Sequence, residues 1–353
     1  MNIETLARPE ILALEPYASA RRLADSAGLL LNANENPWPP NGEGAPLNRY
    51  PDPQPAALKA ALACEYGVPA DHLLITRGSD EGIDLLVRTF CRPAEDRVLI
   101  SPPCFGMYAL SARVQGAGIT EVPLVETEAG FIADFDAMRA SAPCKLYFLC
   151  TPNNPTGNEL AADDILELAR HVSGHGLVVV DEAYVEFGEQ RSLAGRVAEH
   201  ANLVVLRTLS KAFGLAGCRI GSVIANPGII ALLRRIIAPY PLPTPSVAAA
   251  LKALSPSARK RRQRQVAALM AEKTGLVAAL GGHPGIVAVW PGAANFVLVR
   301  TVPGADLVPA AARAGIRLRD QSAQPGLADC VRITLGTPEE NRQLIAFLEE
   351  WQP

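Results

Sequence analysis

Short apolar runs alternate with segments of helical periodicity through the middle of the chain. The runs are RVLIS at 97–101, KLYFLC at 145–150, LVVVDEA at 177–183, NLVVLRT at 202–208 and RIGSVIA at 219–225. Consecutive apolar positions are expected in a strand that is covered on both faces. The pattern predicts an α/β fold in which helices cover a mostly parallel central sheet.

Two of the intervening segments carry a clear helical stripe. DEGIDLLVRTF at 80–90 and DDILELARHV at 163–172 repeat their apolar residues every three or four positions. Gly78 can turn the chain ahead of the first segment, and Ser79 can cap a helix that starts at Asp80. Such a helix start offers free backbone N–H groups to an anion.

A proline-dense passage, APYPLPTPS at 238–246, interrupts the alternation because each proline removes a backbone donor. We expect a large domain over residues 43–240 and a smaller α+β domain over 241–353. The smaller domain would contain a long basic helix near 256–280, short strands and a closing helix at 338–351. Residues 1–42, rich in proline near their end, are expected to form an arm that joins the small domain.

Composition narrows the classes of protein. The 353 residues include 33 Lys and Arg against 36 Asp and Glu, a net charge of −3 that indicates no nucleic-acid or membrane-surface partner. No apolar run approaches the ~20 residues of a membrane-spanning helix, and the N-terminus lacks a signal-peptide pattern. We expect a soluble, cytoplasmic protein. The seven cysteines are scattered without a Cys-x-x-Cys pair, which argues against a disulfide framework and a metal site.

Polar residues follow the predicted strands at the point where each strand ends. RGSDEG follows LLIT, TPNNPTG follows KLYFLC, DEAY includes Asp181 at the end of LVVV, and LSK follows LVVLRT. Ligands of open parallel sheets bind beyond these carboxyl ends. The edge would therefore combine an anion-binding helix start, an Asn between prolines, an Asp with a Tyr, and a Lys with hydroxyls.

These residues fit pyridoxal 5'-phosphate. Lys211 can form a Schiff base with its aldehyde, and Thr208, Ser210 and Arg219 can bind its phosphate. The pyridine nitrogen needs a carboxylate partner to stay protonated, which Asp181 can supply. Taken singly, each motif also has an ordinary explanation as a turn, a cap or solvated charge. Their occurrence in this order after successive strands favours the cofactor site.

The chain resembles the fold-type I pyridoxal-phosphate aminotransferases, and within them the histidinol-phosphate branch. The resemblance covers nearly the whole chain and is carried by these motifs: LNANENP at 31–37, RYPDP at 49–53, GSDEGIDLL at 78–86, PPCFGMY at 102–108, TPNNPTG at 151–157, DEAY at 181–184, RTLSKAFGLAGCRIG at 207–221, ANFVLVR at 294–300, LRDQ and VRITLG.

The resemblance implies a role for each matching residue. Lys211 would bind the cofactor covalently, Asp181 would pair with the ring nitrogen, and Tyr184 and Asn154 would hold the phenolic oxygen. Further cofactor contacts are implied for Ser79, Asp80, Phe105, Thr208, Ser210, Arg219 and Tyr50. Of these, Phe105 would stack on the ring or serve as a core aromatic, and Ser79 and Asp80 would bind phosphate through their backbones. We expect the carboxylates of Asp80 and Glu81 to point away from the phosphate.

The same resemblance implies the substrates and the assembly. Arg332 and Arg319 would bind the phosphate of L-histidinol phosphate, Tyr17 would contact the substrate, and Asn34 would contact it or cap the arm. The reaction would be reversible amino transfer to 2-oxoglutarate, giving imidazole-acetol phosphate and glutamate, in histidine biosynthesis. Tyr50 would reach the cofactor of a neighbouring subunit, so a homodimer with shared active sites is expected.

Two other activities are alternatives. An aromatic amino acid aminotransferase would share every cofactor residue and differ only in its pocket lining. A pyridoxal-phosphate lyase of the threonine-phosphate decarboxylase type resembles this branch and also acts on phosphorylated substrates. A non-catalytic regulator is disfavoured because Lys211, Asp181 and Arg219 are all present and no DNA-binding region is appended.

Overall fold

The computed structural model describes residues 3–17, 29–40 and 47–353. Its helices are α1 (Pro9–Ala13), α2 (Ala56–Tyr66), α3 (Gly78–Phe90), α4 (Met107–Gln115), α5 (Phe135–Ala140), α6 (Ala162–His171), α7 (Pro227–Ile236), α8 (Thr244–Ala253), α9 (Pro256–Gly281), α10 (Leu307–Arg313) and α11 (Pro338–Glu350). Its strands are β1 (Leu73–Thr76), β2 (Arg97–Ile100), β3 (Gly118–Glu121), β4 (Val125–Thr127), β5 (Gly130–Ile132), β6 (Leu146–Cys150), β7 (Leu177–Asp181), β8 (Leu203–Thr208), β9 (Gly221–Ala225), β10 (Ile286–Trp290), β11 (Phe296–Thr301), β12 (Arg319–Asp320) and β13 (Cys330–Thr334).

A seven-stranded sheet in the order β1-β9-β8-β7-β6-β2-β3 forms the larger core. Strands β3, β2, β6, β7 and β8 pair in parallel, whereas β9 pairs antiparallel with both β8 and β1. Every residue of β6, β7 and β8 is buried, because apolar side chains on both faces are covered by helices. The predicted α/β fold with a mostly parallel sheet is confirmed.

The parallel strands bring the predicted functional residues to one edge. Cys150 at the end of β6 is in register with Asp181 at the end of β7, and Asp181 is in register with Leu206 of β8. Parallel strands end on the same side of the sheet. The loops that follow β6, β7 and β8 therefore meet above this edge.

A four-stranded antiparallel sheet, in the order β10-β11-β13-β12, forms the second core. Its buried residues pack with Leu276 and Leu280 of α9 and with Leu344 and Leu348 of α11. Arg319 of β12 lies opposite Arg332 of β13 in the register of this sheet. The short hairpin β4–β5 is a separate two-stranded sheet that packs on the four-stranded one, where Phe131 meets Trp290 edge to face at 5.2 Å.

Several boundaries differ from the predicted ones. Helix α3 begins at Gly78 with Arg77 at its N-cap, so Ser79 lies in the first turn and the prediction that it caps the helix is wrong. Thr76 Oγ1 instead donates to Gly78 O at 2.8 Å and secures the turn into the helix. Helix α8 begins at Thr244 inside the proline-dense passage, since proline fits the first turn of a helix.

The division into an arm and two domains stays a prediction. From the predicted arm, Ile3, Leu6 and Ala7 pack on one face of the seven-stranded sheet. From the start of the predicted small domain, Leu242 and Ala250 pack on the other face. Across residues 3–17, 29–40 and 47–353, no helix is both long enough and apolar enough to cross a bilayer.

Candidate active site

A cleft of about 570 Å³ opens at the carboxyl edge of the parallel strands, with β12 and β13 of the second sheet on its other side. Its wall brings together many of the residues that the sequence singled out. The predicted site residues that line it are Ser79, Asp80, Phe105, Asn154, Asp181, Tyr184, Thr208, Ser210, Lys211, Arg219, Arg319 and Arg332.

Asp181 lies at the bottom of the cleft and is only 2% exposed. Its Oδ2 accepts a hydrogen bond from Tyr108 Oη at 2.8 Å, and its Oδ1 accepts one from Ala183 N at 3.1 Å. Burial raises the pKa of Asp181 to about 6 despite these two donors, because a carboxylate in an apolar environment loses its hydration. No arginine or lysine of the described residues forms an ion pair with it. The site therefore contains a buried carboxylate that lacks a cationic partner.

Lys211 follows β8 and faces the same cleft. Its Nζ lies 5.2 Å from the centroid of the Tyr184 ring, and its side chain opens to the cleft rather than to the core. Desolvation lowers the pKa of the Lys211 amine, and the positive charge of Arg332 lowers it further. A lysine with a lowered pKa is a better nucleophile and base near neutral pH.

Hydroxyl and guanidinium groups surround the start of α3. Thr208 Oγ1 donates to Ser210 Oγ at 2.9 Å, and Arg219 Nη1 donates to the same Ser210 Oγ at 3.3 Å. A Cβ on Gly78 would lie 2.5 Å from Arg219 Nη2, and Gly78 has a φ of +74°. Only glycine permits this close approach. The free N–H groups of the helix, the hydroxyls and Arg219 together form an anion site.

The side chain of Asp80 points in a different direction from the predicted one. Its Oδ2 accepts from Arg219 Nη2 at 3.1 Å, so the carboxylate lies within the anion site and the prediction that it points away is wrong. The positive charge of Arg219 attracts the carboxylate. The Glu81 carboxylate instead accepts from the Arg77 backbone and side chain, as expected for a group that points away.

A second positively charged wall belongs to the four-stranded sheet. Arg332 Nη1 donates to Asn154 Oδ1, and its guanidinium carbon lies 5.4 Å from the Phe296 ring centroid. Burial lowers the pKa of Arg332, and the charge of neighbouring Arg319 lowers it further. The buried Arg332 Nε has no hydrogen-bond partner among the described residues. This wall can accept a further anion.

Aromatic rings shape the remaining surface. Phe105 is partly buried, lines the cleft and meets Tyr108 edge to face at 5.7 Å, so it is placed both to contact a ligand and to pack on the core. Tyr184 is 5% exposed and meets Phe296 at 5.4 Å. Burial raises the pKa of the Tyr184 hydroxyl, which therefore stays protonated and able to donate.

Three predicted contacts lie away from the cleft of their own chain. Tyr17 is 71% exposed and lines a separate small depression beside Arg234. Asn34 is exposed, with a φ of +55°. Tyr50 is 49% exposed and stacks on Tyr240 at 4.4 Å. The structure of one chain does not bring these residues to the site.

Other residues at or behind the cleft were missed from the sequence. Tyr108 is fully buried behind the cleft, in the first turn of α4 at the end of PPCFGMY, and the motif alone does not indicate its contact with Asp181. Gln321 and Gln324 line the cleft beside Arg319, and Gln324 Nε2 donates to Gln321 Oε1 at 2.9 Å. Gln321 ends the LRDQ motif, from which only Arg319 was given a role, and Gln324 belongs to no motif.

Comparisons with known proteins give the family of this chain. The family described as aminotransferase class I and II matches residues 25–348. A histidinol-phosphate aminotransferase of Stenotrophomonas maltophilia is 49% identical over 98% of this chain and 96% of its own length.

Solved structures agree with the sequence match. A histidinol-phosphate aminotransferase of Sinorhizobium meliloti, in complex with pyridoxal-5'-phosphate, has a TM-score of 0.76 at 26% identity, over 86% of this chain and 82% of its own. L-threonine-O-3-phosphate decarboxylase of Porphyromonas gingivalis has a TM-score of 0.74 at 26% identity, over 86% and 90%. With a match that spans most of its length and a close full-length relative, the chain belongs to the class I and II aminotransferase family.

Proposed function

We propose that this aminotransferase uses pyridoxal 5'-phosphate to exchange an amino group between L-histidinol phosphate and 2-oxoglutarate. The products are imidazole-acetol phosphate and glutamate, and the step belongs to histidine biosynthesis. Support comes from a full-length relative of that name at 49% identity, which is much closer than the structural neighbours of either activity.

The residues of the cleft fit the cofactor. Asp181 is a buried carboxylate with no cationic partner among the described residues, and a protonated pyridine nitrogen would supply one. The anion site of Ser79, Thr208, Ser210 and Arg219 suits the phosphate. Lys211 would provide the covalent attachment, and Tyr184 and Asn154 would hold the phenolic oxygen. Phe105 would lie against the ring.

When bound, this cofactor supplies an aldehyde for amines and an electron-poor ring that stabilises negative charge at the substrate carbon bearing nitrogen. Lys211, whose pKa is lowered, would be the base that removes the proton from that carbon. Asp181 would keep the ring nitrogen protonated, and the hydrogen bond from Tyr108 favours the charged form of Asp181. Tyr184 would donate from its protonated hydroxyl to the phenolic oxygen.

The observation that supports a phosphorylated substrate is the pair Arg319 and Arg332. The two are in register on neighbouring strands, both line the cleft, and the buried Arg332 Nε lacks a partner among the described residues. Two guanidinium groups suit a phosphate dianion better than a single carboxylate.

We further propose a cytoplasmic homodimer. Tyr50, Tyr17 and Asn34 are exposed and do not line their own cleft, which fits residues that complete the site of a second copy. In that arrangement Tyr50 would contact the cofactor phosphate, and Tyr17 and Asn34 would contact the substrate.

A half-reaction tests the substrate. Cofactor-loaded enzyme is mixed separately with histidinol phosphate, phenylalanine or phosphothreonine. Histidinol phosphate should bleach the visible absorbance of the bound cofactor, and 2-oxoglutarate should restore it with formation of glutamate. A response to phenylalanine alone would favour the aromatic enzyme. Carbon dioxide released from phosphothreonine would favour a lyase.

A further inference from the structure

A lysine outside the cleft is buried, and no acidic side chain in the described part of the chain pairs with it. Lys273 lies on α9 and is 5% exposed. It follows Leu269 and Met270 by four and three positions, so it shares their side of the helix. Leu269 and Met270 pack against the buried cluster that contains Tyr184 and Phe296. Lys273 therefore lies on the helix face that supports this cluster beside the cleft.

Two backbone carbonyls hold the Lys273 amine. Nζ donates to Gly292 O at 2.8 Å and to Ala294 O at 2.8 Å. No carboxylate of the described residues pairs with it, and burial lowers its pKa to about 8. Burial of an amine without a counter-ion costs free energy. The amine satisfies both acceptors in either protonation state, so its structural effect is to fix the segment from Gly292 to Ala294.

That segment touches the loop that follows β6. Ala293 N donates to Gly157 O at 2.6 Å. A Cβ on Gly157 would lie 2.9 Å from Gly292 Cα, and the φ angles of Gly157 and Gly292 are +75° and +55°. The two backbones therefore meet directly. The connection joins α9 and the four-stranded sheet to the edge of the seven-stranded sheet.

Both ends of this connection adjoin residues that contact Arg332 of the second positively charged wall. Gly157 N donates to Asn153 O at 2.7 Å and closes the turn that contains Asn154. Asn154 Oδ1 in turn accepts from Arg332. On the other side, Ala294 leads to Phe296, whose ring contacts Arg332 at 5.4 Å. Arg332 thus has two neighbours whose positions depend on the segment that Lys273 holds.

We propose that Lys273 is a positioning residue for substrate binding: by holding Gly292 and Ala294 it places Asn154 and Phe296, and these orient Arg332 toward the substrate anion. This inference rests on the proposed function for its assay substrate. Loss of the two hydrogen bonds would let the Gly157–Gly292 contact relax, and small misplacements of a binding group have large effects on affinity.

The test compares Lys273→Met with Lys273→Arg and with Lys260→Met, which changes an exposed lysine on the same helix. In the cofactor-loaded enzyme we expect Lys273→Met to raise the KM for histidinol phosphate about tenfold, with kcat within about threefold. Lys273→Arg should restore most of the loss because it keeps donors for both carbonyls. Lys260→Met should match wild type. Hydrogen exchange of the peptide containing Gly292 to Phe296 should increase in Lys273→Met alone.

A double-mutant cycle separates positioning from general loss of stability. If Lys273 acts through Asn154, the effects of Lys273→Met and Asn154→Ala on KM should be clearly less than additive. Unchanged KM, failure of Lys273→Arg to rescue, or additive effects would overturn the proposal. If Lys273→Met does not fold, Lys273→Gln takes its place in the same cycle. A wild-type enzyme inactive on histidinol phosphate would instead refute the proposed function.

Discussion

Tyr108 Oη donates to Asp181 Oδ2 at 2.8 Å although 73 residues separate them in sequence, and both groups are buried. Tyr108 also stacks on Phe148, with ring centroids 4.8 Å apart, so its hydroxyl has a fixed direction. A hydrogen bond to the charged form of a carboxylate lowers its pKa and opposes the effect of burial. Tyr108 therefore helps Asp181 to remain an anion at the pH of the reaction.

Tyr108→Phe should weaken cofactor binding most at low pH. A hydrogen bond to a charged group contributes about 1.5–3 kcal/mol, so its loss should raise the pKa of Asp181 by about one to two units. Fluorescence titration should then give a cofactor Kd about tenfold higher than wild type at pH 6, with a smaller difference at pH 8.5.

The control is Tyr147→Phe. Tyr147 is also a buried tyrosine but lies on β6, and its Oη accepts from Cys144 N away from the cleft. The Tyr147→Phe variant should leave the cofactor Kd unchanged. If Tyr108→Phe keeps the wild-type pH dependence, the bond to Asp181 does not control the charge of the carboxylate.

The stability of the cofactor-free protein should reflect the buried Asp181. Its pKa of about 6 in the folded chain is above the ordinary value near 4 of an unfolded chain, so between these pH values the folded state binds more protons. The contribution of Asp181 to the free energy of unfolding is therefore complete below pH 4 and is lost as pH rises through 6. The gap between the two pKa values corresponds to about 3 kcal/mol.

Urea unfolding of wild type and Asp181→Asn measures this contribution. The free energy of unfolding of wild type minus that of the variant should fall by about 2 kcal/mol between pH 4 and pH 7, because the unfolded carboxyl is already about half ionised at pH 4. A difference that is constant across this range would mean that Asp181 does not titrate with a raised pKa.

Gly78→Ala should disrupt the anion site. The new Cβ would lie 2.5 Å from Arg219 Nη2, and a φ of +74° strains any residue with a side chain. Arg219 must then move, and we expect the cofactor Kd to rise at least about tenfold, a loss of roughly 1.4 kcal/mol or more.

Gly217→Ala is the matched control for this change. Gly217 lies in the same loop as Arg219, but a Cβ there has no atom within 4 Å. Equal affinities for the cofactor in both variants would show that the contact between Gly78 and Arg219 is not needed.

Arg332→Met should impair substrate use and spare cofactor retention. Loss of a partly buried charge that binds an anion costs about 3 kcal/mol, so kcat/KM for histidinol phosphate should fall about 100-fold. Arg342→Met serves as control, because Arg342 is on α11, is 67% exposed and forms an ion pair with Glu339 at the surface. A variant at position 332 with wild-type kcat/KM would remove this arginine from substrate binding.

The apolar runs of the sequence predicted the part of the fold that positions the site. Strands β6, β7 and β8 are buried on both faces, so their positions are apolar almost throughout, and Asp181 and Thr208 are recognisable as polar residues at their ends. The antiparallel direction of β9 was not predictable from its pattern, because residues buried on both faces read alike in either direction.

Contacts that depend on tertiary geometry were beyond sequence reasoning. The Asp80 carboxylate turns inward because Arg219, 139 positions away, lies beside it. Tyr108 and Asp181 are brought together only when α4 packs beside the sheet. The proposed roles of Tyr17, Asn34 and Tyr50 depend on a second subunit, which neither the pattern of one chain nor its fold describes.

The most direct test of the account is the position of the covalent link to the cofactor. The cofactor-loaded enzyme is reduced with borohydride, digested and analysed by mass spectrometry, with Lys211→Ala in parallel. We predict that the cofactor mass is found on Lys211 alone, and that the variant shows neither the label nor turnover. A label on another lysine, or an active Lys211→Ala enzyme, would contradict the assignment of Lys211.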